Sequence, residues 1–281
     1  MTRSNHLSFL DEYRAESPPS LTDALRAVIQ QYAERNTLRL CRRGKRILLR
    51  DGSVVRVPCN NKWSCPMCSP ARLAVDQERI ERVLRAAHTV LFTTFTLADE
   101  QRSASLWSLT PILETWGSAF STGSWMGDFR TRCRVSGWVR SLEVTFHPER
   151  VHPHAHAAFV LDAEPGVAEV ERLTEHWIES AARRGYRAAR SAQKAEFVKA
   201  GDDRARVAFY LCEQNAIRQS RGGKGRTPGD LLHSAAMTGD ADDLARLLQF
   251  HNAVSGKRKI SVNRPGFSGG RVLQPAVAGR K

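Results

Sequence analysis

The sequence lacks the features that would tie it to a membrane or to an oxidising compartment. No run of roughly 18 apolar residues occurs in it, so a membrane-spanning helix is not expected. Residues 1–20 contain no apolar core of a secretory signal peptide. We therefore expect a cytoplasmic protein with no membrane partner. In that reducing compartment its six cysteines favour metal binding over disulfides.

The chain also lacks internal repeats, a nucleotide-binding motif and an acidic excess. The glycine-rich segment 220–225 does not have the spacing of a P-loop, and no strand precedes it. Lys and Arg total 43 against 29 Asp and Glu, a net charge of +14. Such an excess favours a polyanionic partner, nucleic acid before a membrane surface. The alternative is a basic protein with no committed partner.

Four of the six cysteines fall close together, in the pattern C-x17-C-x5-C-x2-C. They are Cys41, Cys59, Cys65 and Cys68. The last two form a knuckle in which two thiolates can hold one ion, and the first two, across a hairpin at 47–57, can complete a tetrahedral site. The spacing therefore predicts a structural Zn²⁺ site, with separate buried thiols as the alternative. Cys133 and Cys212 are isolated and are expected to be ordinary buried thiols.

Three histidines alternate with other residues at 151–160. On a β-strand, His152, His154 and His156 lie on one face, while Ala155 and Ala157 point the other way. Imidazoles spaced about 7 Å apart along the backbone can converge on one metal ion. A polar strand edge is the alternative to a metal site.

A hairpin would bring a carboxylate to these histidines. Residues 136–146 form the preceding strand, and 147–150 can turn the chain. If Glu143 pairs with His154 or His156, it shares their face, whereas a slip of one residue would reverse it. In the register that places Glu143 on the histidine face, the apolar residues Leu142 and Val144 also match Ala155 and Ala157, so the hydrophobic pattern favours this register. A site of Glu143, His154 and His156 suits Mn²⁺ or Mg²⁺ and leaves positions open for a phosphate oxygen. Glu143 as an ion-pair partner alone is the alternative.

A tyrosine on a polar helix face is the candidate nucleophile. In the helix that begins at Asp202, Tyr210 shares a face with Arg206, Glu213 and Gln214. This is an unusual position for a tyrosine that only packs, and we expect it to be exposed. Tyrosine can form a covalent phosphodiester intermediate. The competing candidate is Tyr186, after Gly185.

These segments resemble the motifs of HUH endonucleases, and most closely those of rolling-circle replication initiators (Rep) of actinobacterial and Gram-positive plasmids. Residues 142–145 and 152–156 resemble the histidine motif of that family. The remaining similarities are a first motif at 92–97, the preceding cysteine cluster, the tyrosine motif at 208–211, and C-terminal segments at 225–232 and 255–258. The resemblance covers roughly residues 37–265.

The resemblance implies an enzyme that nicks plasmid origin DNA, single-stranded at the nick, by metal-dependent transesterification. His154, His156 and Glu143 would hold the ion. Tyr210 would attack, leaving a 5′-phosphotyrosine and a free 3′-OH primer. Host helicase and polymerase would be further partners. Alternatives are an HUH transposase or mobilisation relaxase, or a non-catalytic zinc-stabilised DNA-binding protein.

One position departs from the family pattern. Glu213 stands where the family usually has a lysine three residues after the tyrosine, and Arg206 or Arg218 is expected to substitute for it. Glu213 or Glu196 is a hypothetical activator of the water that ends the reaction. The expected DNA contacts are His152, Arg206, Arg218, Arg221, Lys224 and Arg226.

The order of elements predicts an α+β fold with a mainly antiparallel sheet flanked by helices. The resemblance adds that this sheet is the palm of an HUH enzyme with an N-terminal zinc-binding hairpin. Strands are expected at 89–97, 136–146, 151–160, 186–193, 196–199 and 257–260, and helices at 20–32, 69–87, 103–122 with an interruption at Pro111, 167–184, from 202, from 227 and at 240–254. The expected regions are an arm and helix at 1–36, a zinc module with its connecting helix at 37–88, a nuclease core at 89–218, a helical extension at 219–265 and a disordered basic tail at 266–281.

Overall fold

The fold is given by a computed structural model, which describes residues 46–48, 54–56, 59–63, 65, 68–98, 107–121, 124–148, 150–213 and 225–263. The predicted N-terminal helix and basic tail lie outside these residues. The strands are β1 (Arg46–Leu48), β2 (Val54–Arg56), β3 (Thr89–Thr96), β4 (Val135–Phe146), β5 (Val151–Leu161), β6 (Lys194–Val198) and β7 (Ile260–Asn263). The α-helices are α1 (Ser69–Arg85), α2 (Thr110–Phe120), α3 (Ser124–Arg132), α4 (Val167–Arg183), α5 (Asp202–Glu213), α6 (Pro228–Thr238) and α7 (Ala241–Val254).

The centre of the fold is a five-stranded sheet in the order β6-β3-β5-β4-β7, and every neighbouring pair is antiparallel. The predicted α+β class with an antiparallel sheet is therefore confirmed. Strand β3, with the sequence TVLFTTFT, is buried at nearly every position. Its β-branched and aromatic residues suit a strand that is covered on both faces.

Helices cover the two faces of the sheet unequally. The larger core includes Trp116 of α2, Phe129 of α3, Trp177 of α4 and Phe250 of α7. The smaller core lies on the opposite face and is closed by α1 and α5. The two cores use alternate residues of the same strands, as period-two alternation requires. The face with the smaller core is the one that carries the histidines.

Local signals account for several helix ends. Helix α4 ends before Gly185, whose φ of 76° is readily adopted by glycine. Helix α6 begins with a capping box, in which Thr227 and Asp230 each bond the backbone N–H of the other. Gly239, with a φ of 72°, ends α6, and Asp240 caps α7.

Three predicted elements need correction. Pro111 does not interrupt a helix but stands in the first turn of α2, where its missing N–H costs nothing. Residues 186–193 are not a strand, because they include the short 3₁₀ helix Arg190–Ala192 and contain no β-branched residue. The final strand runs from Ile260 to Asn263, so it shares only Ile260 with the predicted strand at 257–260. Helix α3 was not predicted at all.

The N-terminal strands pair as a hairpin, with Ile47 opposite Val55. Cys41, which was predicted to be the first zinc ligand of this hairpin, lies outside the described residues. Within the part of the chain that the structure describes, none of the helices combines the length and apolar character needed to cross a bilayer.

Candidate functional site

The β4–β5 hairpin sets the geometry of the histidine face. Glu143 is paired with His154, and Ser141 with His156, which is one of the two predicted registers. Leu142 lies opposite Ala155 as expected, but Val144 faces Pro153 rather than Ala157. In an antiparallel pair, residue numbers rise along one strand as they fall along the other, so the residue two positions after Leu142 lies opposite the residue two positions before Ala155. The register still places Glu143 on the face of the histidines.

Glu143 and His156 are in direct contact. The Glu143 Oε2 and His156 Nε2 atoms are 2.5 Å apart, and both side chains are buried. His154 lies beside them, with its ring centroid 6.1 Å from that of His156. One carboxylate and two imidazoles are thus brought together on a covered sheet face. This donor set fits a divalent ion that keeps further positions open.

Two threonines of β3, within the strand predicted at 89–97, orient the histidines. The hydroxyl of Thr94 lies 3.0 Å from Nδ1 of His156, and that of Thr96 lies 3.0 Å from Nδ1 of His154. A partner on Nδ1 fixes the ring orientation and leaves Nε2 as the ligand atom. The available signal was the alternation of Thr94 and Thr96, which matches that of the histidines.

Burial keeps His154 in the form that binds metals. Loss of solvation lowers the pKa of His154 to about 4, against the opposing attraction of the Glu143 carboxylate. The imidazole is therefore neutral at neutral pH, and only a neutral imidazole can donate its nitrogen lone pair to a cation.

Tyr210 of α5 lies beside His156 of the candidate metal site. Its ring meets that of His156 edge-on at a centroid distance of 5.0 Å, and it meets Phe92 in the same way at 5.6 Å. The expectation of a freely exposed tyrosine is wrong, because the side chain is partly buried in the smaller core. Burial first, and the Glu143 carboxylate second, raise the pKa of the Tyr210 phenol.

The competing tyrosine lies elsewhere. Tyr186 donates its hydroxyl to Glu114 of α2 at 2.9 Å, and α2 belongs to the layer of the larger core. Of the two candidates for a nucleophile, only Tyr210 contacts a histidine of the candidate metal site in the described structure.

The histidine row is longer than the sequence motif. His152 continues it, 6.0 Å from His154 by ring centroids, and His147 meets His152 at 5.1 Å. A side chain at Gly225 would come within 3.2 Å of the His147 ring, so the chain passes close to this end of the row. His147 was missed because the sequence indicates only a turn there.

The predicted DNA contacts fall into separate groups. Arg206 is exposed over 81% of its side chain and pairs with Asp203. Arg226 instead forms a bidentate ion pair with the buried Asp243, and both N–O distances are 2.6 Å. This pairing gives Arg226 a structural role. Arg218, Arg221 and Lys224 lie outside the described residues.

The two glutamates proposed to activate water also differ. The side chain of Glu213 lies outside the described part of the chain. Glu196 is exposed on β6 and pairs with Phe92 of β3. Since residues opposite each other in a sheet share a face, Glu196 lies on the face of the histidines.

Three cysteines form a second candidate metal centre. The sulfurs of Cys59, Cys65 and Cys68 all lie within 4.8 Å of one another. Hydrogen bonds among the thiols first, and burial second, raise the pKa of Cys65, so thiolates crowded here require a cation to stabilise them. Cys68 precedes α1, and the Ser69 amide donates to the Cys65 carbonyl at 2.9 Å. Cys133 and Cys212 are buried in the two cores.

These cysteines are, within the described residues, the only set of three or more potential ligand atoms that are mutually so close. Glu143, His154 and His156 do not form such a set, and the Glu143 carboxylate bonds His156 directly. Binding an ion there requires that this hydrogen bond be exchanged for two metal–ligand bonds.

Comparisons of the chain with family models, with curated proteins and with solved structures found no match. The case for a function therefore rests on the residues and geometry described above.

Proposed function

We propose that the chain is a metal-dependent, single-tyrosine DNA endonuclease and strand transferase that initiates rolling-circle replication of a plasmid, as its resemblance to HUH initiators implies. The observation that carries the proposal is the meeting of Tyr210, 5.0 Å from His156 by ring centroids, with the Glu143–His156 pair. A nucleophile beside a carboxylate–imidazole donor set is the arrangement that phosphodiester transesterification needs. The net charge of +14 supports a DNA substrate.

The residues have separate tasks in this reaction. Glu143, His154 and His156 would hold Mn²⁺ or Mg²⁺, which supplies Lewis-acid polarisation of the scissile phosphate. Thr94 and Thr96 keep both imidazoles oriented. The Phe92 ring stacks on that of His156, with the ring centroids 6.0 Å apart.

The covalent step conserves protons. The Tyr210 phenol oxygen attacks the phosphorus, the bond from phosphorus to the 3′-oxygen breaks, and the phenol loses one proton while the 3′-oxygen gains one. The new phosphotyrosine ester retains the energy of the broken bond, so the strand can be rejoined without ATP. This agrees with the lack of a nucleotide-binding motif in the sequence.

The test is formation of a covalent protein–DNA adduct. The full chain is incubated with Mn²⁺ and a random pool of single-stranded DNA labelled at its 3′ end, so that the fragment joined to the protein carries the label. Denaturing electrophoresis should show labelled protein, and sequencing the attached DNA should reveal one preferred nick site.

Matched variants identify the residues responsible. Tyr210→Phe should abolish the adduct, and Glu143→Gln should reduce it strongly, while Tyr186→Phe should leave it unchanged. An adduct that persists in Tyr210→Phe would overturn the assignment. Wild-type protein that binds the DNA but never forms the adduct would favour a non-catalytic DNA-binding protein instead.

A further inference from the structure

A basic cleft lies between the cysteine knuckle and the C-terminal strand. Its walls come from three parts of the chain: residues 59–63, helix α1, and residues 251–262. Its volume is about 690 Å³. Neither the metal site nor the tyrosine accounts for it.

Basic residues outnumber acidic residues in the lining of the cleft. They are Lys62, Arg79, Lys257, Arg258 and Lys259, and the only carboxylate among the lining residues is Asp76. Asp76 is paired with Lys62, and burial lowers the pKa of Lys259 well below its usual range. The excess positive charge of the cleft therefore comes mainly from the exposed Lys257 and Arg258. A concave surface of one charge sign raises the local concentration of the opposite charge, so an anionic ligand is expected.

Specific contacts hold the two walls together. The Trp63 indole N–H donates to the Lys257 carbonyl at 2.9 Å. The Lys259 Nζ lies 3.4 Å from the Lys62 carbonyl and 5.6 Å from the centre of the Trp63 ring. Trp63 and Lys259 are buried, whereas Lys257 and Arg258 are exposed at the rim. Specific contacts therefore fix the walls of the cleft, and the positively charged side chains of Lys257 and Arg258 lie exposed at its opening.

The backbone connects the cleft to the candidate active site. The Leu142 amide donates to the Lys259 carbonyl at 2.9 Å, and Glu143 is the next residue on β4. Strand β7 then continues beside β4, with Ile260 opposite Ser141. The lining residue Lys259 is therefore hydrogen-bonded to the residue that directly precedes a proposed metal ligand.

We propose that this cleft holds the sugar-phosphate backbone of single-stranded DNA next to the scissile phosphate. The inference rests on the proposed nicking function, since it places the strand that leads to or from the nick. Trp63 and His251 are the only lining residues with aromatic rings, and both are buried, so neither offers a platform for stacking bases. The contacts are therefore to phosphates, which makes them independent of sequence and sensitive to salt.

The test measures equilibrium binding in the full chain carrying Tyr210→Phe, so that no cleavage occurs. The probe is a fluorescent, mixed-sequence single strand of about 30 nucleotides, and its anisotropy is followed across a range of KCl concentrations. Lys257→Ala/Arg258→Ala should lower the slope of log K against log salt by about 1.4, since each phosphate contact to a single strand contributes roughly 0.7. At about 0.1 M salt this corresponds to a loss of affinity of about 25-fold.

A matched control removes two other exposed arginines. Arg130→Ala/Arg184→Ala carries the same change in charge, and neither residue lines the cleft. This control should keep nearly the full salt slope. The proposal is overturned if the cleft variant keeps the parental slope, if both variants lose it equally, or if only binding to a matched duplex probe falls. A wild-type chain that forms no adduct would defeat the nicking function without altering this binding result.

Discussion

The Thr94 and Thr96 hydroxyls each lie 3.0 Å from the Nδ1 atom of a proposed metal ligand. Both pairs follow directly from the register of β3 against β5, where Thr94 faces His156 and Thr96 faces His154. Partners of this kind commonly change metal affinity by about 10- to 100-fold when they are removed. At the scale of single residues, the proposed metal site therefore depends on β3 as much as on the histidine strand.

Thr94→Val/Thr96→Val should weaken Mn²⁺ binding to the full chain by about 10- to 100-fold, because the imidazoles lose the groups that fix their orientation. Isothermal titration calorimetry measures this affinity directly. The control is Thr93→Val, whose hydroxyl bonds the Ala157 carbonyl and points to the opposite face of the sheet. Unchanged Mn²⁺ affinity in the double variant would show that the threonines do not position the ligands.

At the scale of elements, one buried arginine joins the helix that carries Tyr210 to its neighbour. Arg204 of α5 donates to the Leu84 and Ala87 carbonyls at 3.1 and 2.5 Å and to the His88 carbonyl at 2.8 Å. These carbonyls lie at and beyond the end of α1, where a helix leaves carbonyls without intrahelical donors; the Leu84 carbonyl also accepts the Ala87 N–H at 3.2 Å. Arg204 thus satisfies them and holds α5 against α1.

Arg204→Met, which keeps an apolar stem but removes the donors, should lower the free energy of unfolding by about 2 to 4 kcal/mol, because the carbonyls lose charged partners. Urea denaturation measures the change. Arg206→Met is the matched control on the same helix, where the side chain is 81% exposed, and a change within about 0.5 kcal/mol is expected. Equal effects of the two substitutions would contradict the capping role of Arg204.

Features set by short-range alternation could be predicted from the sequence, and features set by distant contacts could not. The register of Glu143 against His154 follows from a short turn and two alternating strands. The cleft, in contrast, depends on Lys259 packing against Trp63, far apart in the chain, and no local pattern encodes that contact. The contact of the Tyr210 ring with His156 also depends on distant parts of the chain, because the packing of α5 on α1 positions that ring.

At the scale of the whole molecule, the larger aromatic core and the candidate site lie on opposite faces of one sheet. The larger core stacks aromatic residues such as Phe95, Phe120 and Trp177 under one face. The other face is closed by α1 and α5, and the candidate site occupies the rest of it. Helix α1 starts at the cysteine cluster and packs on α5, so metal in the cluster should act on the position of Tyr210 through two helices.

If Cys59, Cys65 and Cys68 bind Zn²⁺, its removal should destabilise the whole chain. Ligand present at about a thousand times its Kd contributes roughly 4 kcal/mol, equivalent to about 8 °C in Tm for a protein of this size. Calorimetry with and without a zinc chelator measures the shift. Cys65→Ser should start from the lower Tm and lose its response to the chelator, which separates this centre from the proposed ion site at Glu143.

The isolated buried thiol Cys133 provides the control, because Cys133→Ala removes a cysteine from the larger core without touching the cluster. It should keep one zinc per chain by metal analysis and keep the full response to the chelator. A Cys65→Ser protein that retains both would show that the cluster is not a zinc site. Helix α1 would then be anchored by packing alone, and the placement of Tyr210 would be independent of any metal at the cysteines.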